Sequence, residues 1–457
     1  MTILDGAWRV SLVPREKPKS RLSMHWPARG AAQQRVALPK DGSPAATGAG
    51  APDAAIPVTR SITGSDLTPL RMTIVGALLI AVGPISMTLY TPALTLLTQL
   101  FAASEEAIRT TITVYLLAFA SAQLICGPLS DRYGRRPVVM SCLGLYVLGS
   151  LIGASANSVL VLDAARIVQG IGACGGMALS RVMVVDRFSG PPAARIISLM
   201  SLMLSIAPAA APVLGGALIT VLSWRWLFVL MGLYGAVLLV LVWRFPETNT
   251  RRDPGAMRPA SLVTNYGTLL TSRAFLSQVV LTAFAVGGFY TAQTLSPFIL
   301  MGRLGLSSTT FGVVTASLMV SYLFGSLATN RLLRWISVKR LVVVGASIVL
   351  VASLALGVGL HFRLGVAEVV GPLCLWLFGM AFIMPGVTTG ALSLFPKNAG
   401  SASALMGSLQ MAMGFVGSAT ASLFGNAVTA MAIVPPALGA LAAIAYLLAN
   451  RRQLRSA

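Results

Sequence analysis

Asp131, Arg132, Arg135 and Arg136 stand within six residues of one another in the stretch GPLSDRYGRRP. An acid four residues ahead of an arginine forms a local ion pair, but an exposed pair of this kind contributes only about 0.3–0.5 kcal/mol. Stability alone therefore does not account for four charges gathered in one place. A carboxylate that sits against a helix N-terminus in one conformation and leaves it in another has the charge needed for a latch. A topology anchor combined with a turn is the simpler use of the same residues. A second acid–base pair, Asp163 and Arg166, lies one helical turn apart in DAARIVQGIGA. In an apolar setting, the proton affinity of such a carboxyl group depends on water access and on what binds nearby. Coupling proton movement to another event needs that property. No phosphate loop, metal-ligand set or nucleophile–base pair accompanies these residues, so neither enzyme chemistry nor ATP hydrolysis is expected.

The charges are conspicuous because the chain has so few. Of 457 residues, 56% are apolar and 10% charged, whereas a soluble domain carries roughly 25% charged residues. Such a chain cannot cover a water-facing surface and must lie in a membrane. Twelve apolar runs follow residue 69, the first beginning at 72 and the last ending at 449. Each is long enough to cross a hydrocarbon core of ~30 Å at ~1.5 Å rise per residue. Lipid offers no partner for backbone N–H and C=O groups, so every span must be helical. The expected architecture is an all-α polytopic membrane protein of twelve transmembrane helices in two pseudo-symmetric six-helix halves. Residues 1–69, rich in Pro, Gly, Ala and basic residues, are expected to form a disordered tail; the halves are 70–246 and 274–457, the second ending in a short basic tail, and 247–273 is a linker. A faint internal repeat, with Gly127 of GPLSDRYGRR over Gly325 of GSLATNRLLR, fits a duplicated transporter fold with its site between the halves.

The net charge of +21 would point to nucleic acid in a soluble protein. Here the basic residues sit between apolar runs, and nucleic acid is not an expected partner. Of the 25 Lys and Arg after residue 69, 20 fall on one side of the expected bundle, Arg181 and Arg187 among them. That asymmetry assigns both termini, the linker and the charged stretch to the cytoplasm of an inner-membrane protein. The expected partners are the lipid bilayer, a small-molecule substrate and protons, with the chain acting as a monomer. Cys126, Cys142, Cys174 and Cys374 lie within or at the edge of apolar runs, at spacings that match no metal signature. They are expected to be small buried hydrophobes, with no metal and no cofactor.

The spans must then position the candidate residues. Arg166 falls roughly eight residues inside the fourth span, where an arginine costs about 2.5–3.5 kcal/mol. It is expected to face a wet cavity, a partner such as Asp163, or both; a purely structural intrahelical pair is the alternative. Gln169 and Gly170 continue the same run. Met87, Thr88 and Tyr90 in the first span and Tyr290 and Gln293 in the seventh are candidates to line a substrate cavity. Tyr115, Gln123, Trp376, Met380 and Gln410 join them as polar, aromatic or Met groups in spans expected to face it. Gly127 is expected to permit close helix approach and Gly134 a tight loop. In the fifth span Pro208 and Pro212 are expected to bend the helix, and Gly215 and Gly216 to allow close packing.

GPLSDRYGRRP resembles the signature between helices two and three of the major facilitator superfamily, matching it at Gly127, Asp131, Arg132, Gly134, Arg135 and Arg136. AQLICGPLSDRYGRRP, LYTPAL and DAARIVQGIGA are similar to the bicyclomycin-resistance branch of proton-coupled drug exporters, and APAAAPVLGG to the superfamily's antiporter signature, with Ala207 and Ala211 where glycine is usual. The resemblance, over about residues 70–450, implies export of small drug-like or amphipathic molecules by proton antiport and alternating access. It implies that Asp131 latches onto helix eleven, beginning near Gly400. The branch usually carries an aspartate two positions before the tyrosine of its first-span segment; Thr88 stands there in this chain. That substitution leaves Asp163 and Arg166 as the proton-coupling candidates. Export of an endogenous sugar or amino-acid derivative, and a non-transporting membrane sensor or scaffold, are the alternatives.

Overall fold

The computed structural model describes residues 67–250, 252–395 and 399–449. Of the expected disordered tail, residues 1–66 lie outside the described residues, as do the basic C-terminal residues 450–457. The first half contains α1 (Pro69–Thr88), α2 (Leu94–Leu100), α3 (Glu105–Tyr133), α4 (Arg135–Ala154), α5 (Val159–Arg187), α6 (Gly190–Val221) and α7 (Arg225–Trp243). A short helix, α8 (Pro259–Thr271), precedes α9 (Arg273–Pro297), α10 (Ser308–Leu332), α11 (Val338–Phe362), α12 (Val366–Ser393), α13 (Ala399–Ser422) and α14 (Ala427–Ala449). Several starts follow from local chemistry. The hydroxyls of Thr68, Ser104, Ser158, Ser272, Ser307 and Ser337 each accept the N–H three residues on, which satisfies a donor the first helical turn leaves free.

The packing repeats. In the first half α4 lies on α5 and α7, α3 on α5, and α1 on α5 and α6. In the second half α11 lies on α12 and α14, α10 on α12, and α9 on α12 and α13. The leading helix of each half is broken at corresponding places. After Pro84, α1 ends and a turn over Thr91–Ala93 leads to α2; α9 ends at Pro297 and runs into a wider turn over Phe298–Arg303. Across the halves, α6 packs on α10 and α3 on α13. The two ends of the bundle differ in charge. The basic end carries the α3–α4, α5–α6, α7–α8 and α10–α11 connections, and the far end carries the Thr91–Ala93 turn and the start of α10.

Among the described residues, eleven helical segments are long and apolar enough to cross a bilayer by length and composition alone. The twelfth expected span is α13, long enough at 24 residues but diluted by Gly400, Ser401, Ser403, Gly407, Ser408 and Gln410. Packing against α3 and α9 buries Ser408 and Gln410, which explains how so polar a segment lies within the bundle. The linker contains a helix of its own. Leu262, Tyr266, Leu269 and Leu270 recur at helical spacing behind Pro259, and α8 packs against α9 and α13. Leu269 there joins a small separate core with Phe275, Val279, Ala391, Ala402, Leu405 and Met406.

Candidate functional site

Arg166 is wholly buried within the first half. Its guanidinium carbon lies 4.7 Å from the ring centre of Tyr90 and 4.5 Å from that of Tyr115. Nη1 donates to the Ser86 carbonyl at 3.1 Å and to Gln169 Oε1 at 2.5 Å. Gln169 Nε2 donates in turn to Ser150 Oγ at 2.8 Å. Tyr90 meets the Thr111 hydroxyl at 3.1 Å and packs edge-on against Phe228. Ser86 and Tyr146 share a hydroxyl contact of 2.7 Å. The cluster therefore draws on α1, α3, α4, α5 and α7. Arg166 Nε and Nη2 remain buried without a hydrogen-bond partner among the described residues.

Arg166 is thus buried among partners from other elements as well as its own, and no ion pair joins it to Asp163 among the described residues. The ion pairs among the described residues join Arg135 to Asp131 and Asp186, Arg303 to Glu105, and Arg363 to Glu368. Asp163 is half-buried, with Oδ1 unpartnered. The arginine turns inward to two ring faces and a carbonyl, which take up part of the charge in place of a carboxylate. Tyr90 and Gln169 are likewise fully buried here, and Met87 and Thr88 nearly so. Thr88 Oγ1 donates to the Pro84 carbonyl at 2.9 Å, filling an acceptor at the break in α1. Two other arginines lie inside helices: Arg109 is buried in α3, and Arg181 lies within α5.

The remaining cavity candidates stand on the other side of the interface between the halves. Tyr290 and Gln293 lie on α9, three residues apart and so on neighbouring positions of one face. Both amide atoms of Gln293 are buried and unpartnered. Tyr290 and Leu116 of α3 both lie against Gly414 of α13. Ser408 of α13 donates to the Ala120 carbonyl of α3 at 2.8 Å. Gln123 Oε1 on α3 and Gln410 Nε2 on α13 are also unpartnered. The interface thus holds several amide groups whose hydrogen-bonding capacity the protein itself does not fill.

At the far end the halves meet closely. A methyl group added at Gly216 would fall 2.2 Å from the Ser308 carbonyl oxygen of α10, and one at Gly215 equally close to the Leu89 carbonyl oxygen. Only glycine permits this approach. Pro208 and Pro212 lie inside α6 just before these glycines. At the basic end a cavity lies between α3, the start of α13 and the linker. Pro128 and Asp131 of α3, Gly400 and Ser401 of α13 and residues of the linker line this cavity of about 550 Å³. Gly127 was expected to permit close approach, but a methyl there, as at Gly400, would meet nothing within 4 Å.

The charged stretch itself is tightly organised. Gly134 ends α3 and precedes α4 with φ +108°, a conformation that suits glycine. Arg135 Nη1 donates to Asp131 at 2.5 Å and to Ser130 Oγ at 2.6 Å, and its Nε to Asp186 Oδ2 at 3.1 Å. Its side chain is only 10% exposed, although that of Asp131 is 46% exposed, and Asp186 and Ser130 add to the hold on it. Glu247 accepts the first two N–H groups of α4, from Arg135 and Arg136, at 2.9 and 3.2 Å. Arg136 also donates to the Trp243 carbonyl, and Arg187 to the Glu247 carbonyl. Arg132 turns instead to the ring of Tyr133. Asn249 donates to the Ser130 and Asp131 carbonyls. In α8, Tyr266 donates to the Leu124 carbonyl at 2.7 Å. Burial, reinforced by the Asp131 carboxylate, pushes its hydroxyl up to about 12. Glu247 and Asp186 escaped sequence reasoning; the available signal was an acid directly after each of two spans. Among the described residues no hydrogen bond or ion pair links Asp131 to α13.

The family model described as Major Facilitator Superfamily matches residues 76–418. Multidrug resistance protein D of Escherichia coli (strain K12) is 30% identical over 342 residues, covering 73% of this chain and 84% of that protein. The bicyclomycin resistance protein homolog of Haemophilus influenzae is 26% identical over 383 residues, covering 82% and 94%. Among solved structures, a bacterial homologue of the human lysosomal transporter Spinster, inward-facing and occupied, superposes with a TM-score of 0.66 at 16% identity, covering 86% of this chain and 99% of that one.

Proposed function

The chain belongs to the major facilitator superfamily and is a multi-pass membrane transporter, not an enzyme. From that premise we propose that it exports small drug-like or amphipathic molecules across the inner membrane, as a monomer, by alternating access coupled to proton antiport. The basic end is the cytoplasmic end in this reading, by the excess of Lys and Arg there. One observation carries it. The α6–α10 and α3–α13 pairs make the largest contacts between the halves; α6 and α10 approach closely at the far end, while a cavity lined by α3, the linker and the start of α13 lies at the basic end. Rocking of one half against the other would reverse that pattern around the interface.

The cargo assignment draws on the resistance proteins to which the chain is similar and on the interface chemistry. Tyr290, Gln123, Gln293 and Gln410 offer aromatic surface and free amide groups without a fixed acid, which suits neutral or weakly polar amphiphiles. Asp131 is the gate. With the basic end closed, its carboxylate, 46% exposed here, would exchange Arg135 for the N-terminus of α13. Asp163 and Arg166 are the proton-coupling groups: protonation of Asp163 in one state and its release in the other would be felt through the Tyr90–Arg166 cluster.

Everted membrane vesicles test this directly. Uptake of a panel of drugs and of sugar and amino-acid derivatives is measured with and without an imposed proton gradient. Drug uptake that rises with the gradient, and loses that rise in Asp163→Asn, is expected. Uptake confined to the metabolites, or unaffected by the gradient, overturns the respective part of the proposal.

A further inference from the structure

Three of the four cysteines meet. Cys126 of α3, Cys142 of α4 and Cys174 of α5 place their sulfur atoms all within 4.8 Å of one another. They are 3%, 9% and 1% exposed, so water has little access. Gly175, next in the chain to Cys174, keeps room beside them: a methyl there would stand 2.7 Å from Cys142 Sγ and 3.9 Å from Cys126 Sγ. No His, Asp or Glu joins the group among the described residues. All four cysteines are free thiols. Neither the transport path nor the gate uses the cluster.

From this arrangement we infer a trigonal thiol site for a trivalent thiophilic metalloid, of which arsenous acid is the simplest form. Three sulfurs bonded at about 2.3 Å to one centre stand no more than ~4 Å apart, so the present triangle needs only a small contraction. Coordination number argues against zinc, whose structural sites take four ligands. Charge then selects among three-coordinate soft centres. Three thiolates carry three negative charges, and an uncompensated charge inside a membrane protein is expensive. A monovalent ion leaves two of those charges, a divalent ion leaves one, and a trivalent centre leaves none. The step balances without any redox partner. Arsenous acid, As(OH)3, exchanges three As–O bonds for three As–S bonds, and each thiol proton leaves with a hydroxide as water. Arsenous acid is itself neutral and small, as entry to an apolar site requires. The product staples α3, α4 and α5 together within one half.

The test uses the full-length reduced protein in detergent, with sodium arsenite as the probe. One arsenic retained per chain after gel filtration is expected, together with a fall from four free thiols to one when thiols are counted after rapid denaturation. Cys126→Ala, Cys142→Ala and Cys174→Ala should each weaken retention about tenfold or more by removing one arm of the chelate, whereas Cys374→Ala should not. Arsenite should also raise the melting temperature of the wild type and not of the three variants, as binding to the folded state alone requires. Four titratable thiols in the presence of arsenite would overturn the inference, and so would equal retention in Cys142→Ala. Because the thiol count is read on the wild type, a variant that fails to fold leaves the test intact.

Discussion

Arg166 shows most clearly what one residue contributes. Its depth was legible from its place in the fourth span, and so was the need for compensation. The compensating groups were not, because Tyr90 and Tyr115 come from other segments and Asp163, the neighbour on its own helix, forms no ion pair with it among the described residues. Stability does not account for the arginine. Two ring contacts and two hydrogen bonds offset its burial only in part, with Nε and Nη2 left unpartnered. Arg166→Met keeps a long side chain and removes the charge, and replacing buried ions by apolar groups is often neutral or stabilising by about 1–4 kcal/mol. The variant is therefore expected to melt at or above the wild-type temperature in detergent while gradient-driven efflux is lost. Arg166→Lys should lose efflux as well, since an ammonium lacks the planar fork that fits between two rings. A large fall in melting temperature for Arg166→Met would show the residue to be structural instead.

At the scale of elements, the apolar runs and the Ser and Thr caps made the spans readable, and Gly134 marked the turn between α3 and α4. Contacts between distant segments were unreadable by the same means. Glu247 caps α4 across 112 residues of chain, and α8 was hidden because its few apolar residues sit in a charged linker. The Glu247 carboxylate takes two N–H groups at the start of α4 and a third from Asn249, at 2.8 Å. It places a negative charge where the helix dipole favours one. Glu247→Ala should cost about 1–2 kcal/mol, in line with loss of an N-cap, and should loosen the hold on Arg135 shared by Asp131 and Asp186. Hydrogen exchange at the first turn of α4 reads this locally. Faster exchange there with an unchanged far end is expected; unchanged exchange would mean that water replaces the carboxylate at no cost.

For the whole molecule, the proposal of two alternating conformations makes opposite demands on the two ends. The close approach of α6 and α10 at Gly216 belongs to the state with the far end shut, and the Asp131 contact with α13 to the state with the basic end shut. Gly216→Val would drive a side chain into the Ser308 carbonyl and so penalise only the first state. Asp131→Asn would weaken attraction to the α13 N-terminus and penalise only the second. A penalty of about 1.4 kcal/mol moves such an equilibrium tenfold, well within what either change supplies. Spin labels on the ends of α3 and α13 at the basic end, and of α6 and α10 at the far end, report both distances in one chain. Gly216→Val should lengthen the far-end distance and shorten the basic-end one, and Asp131→Asn should do the reverse. Rocking of the halves as units requires the two distances to change in opposite senses within each variant. Independent changes at the two ends would mean that the gates are local and that the halves do not rock.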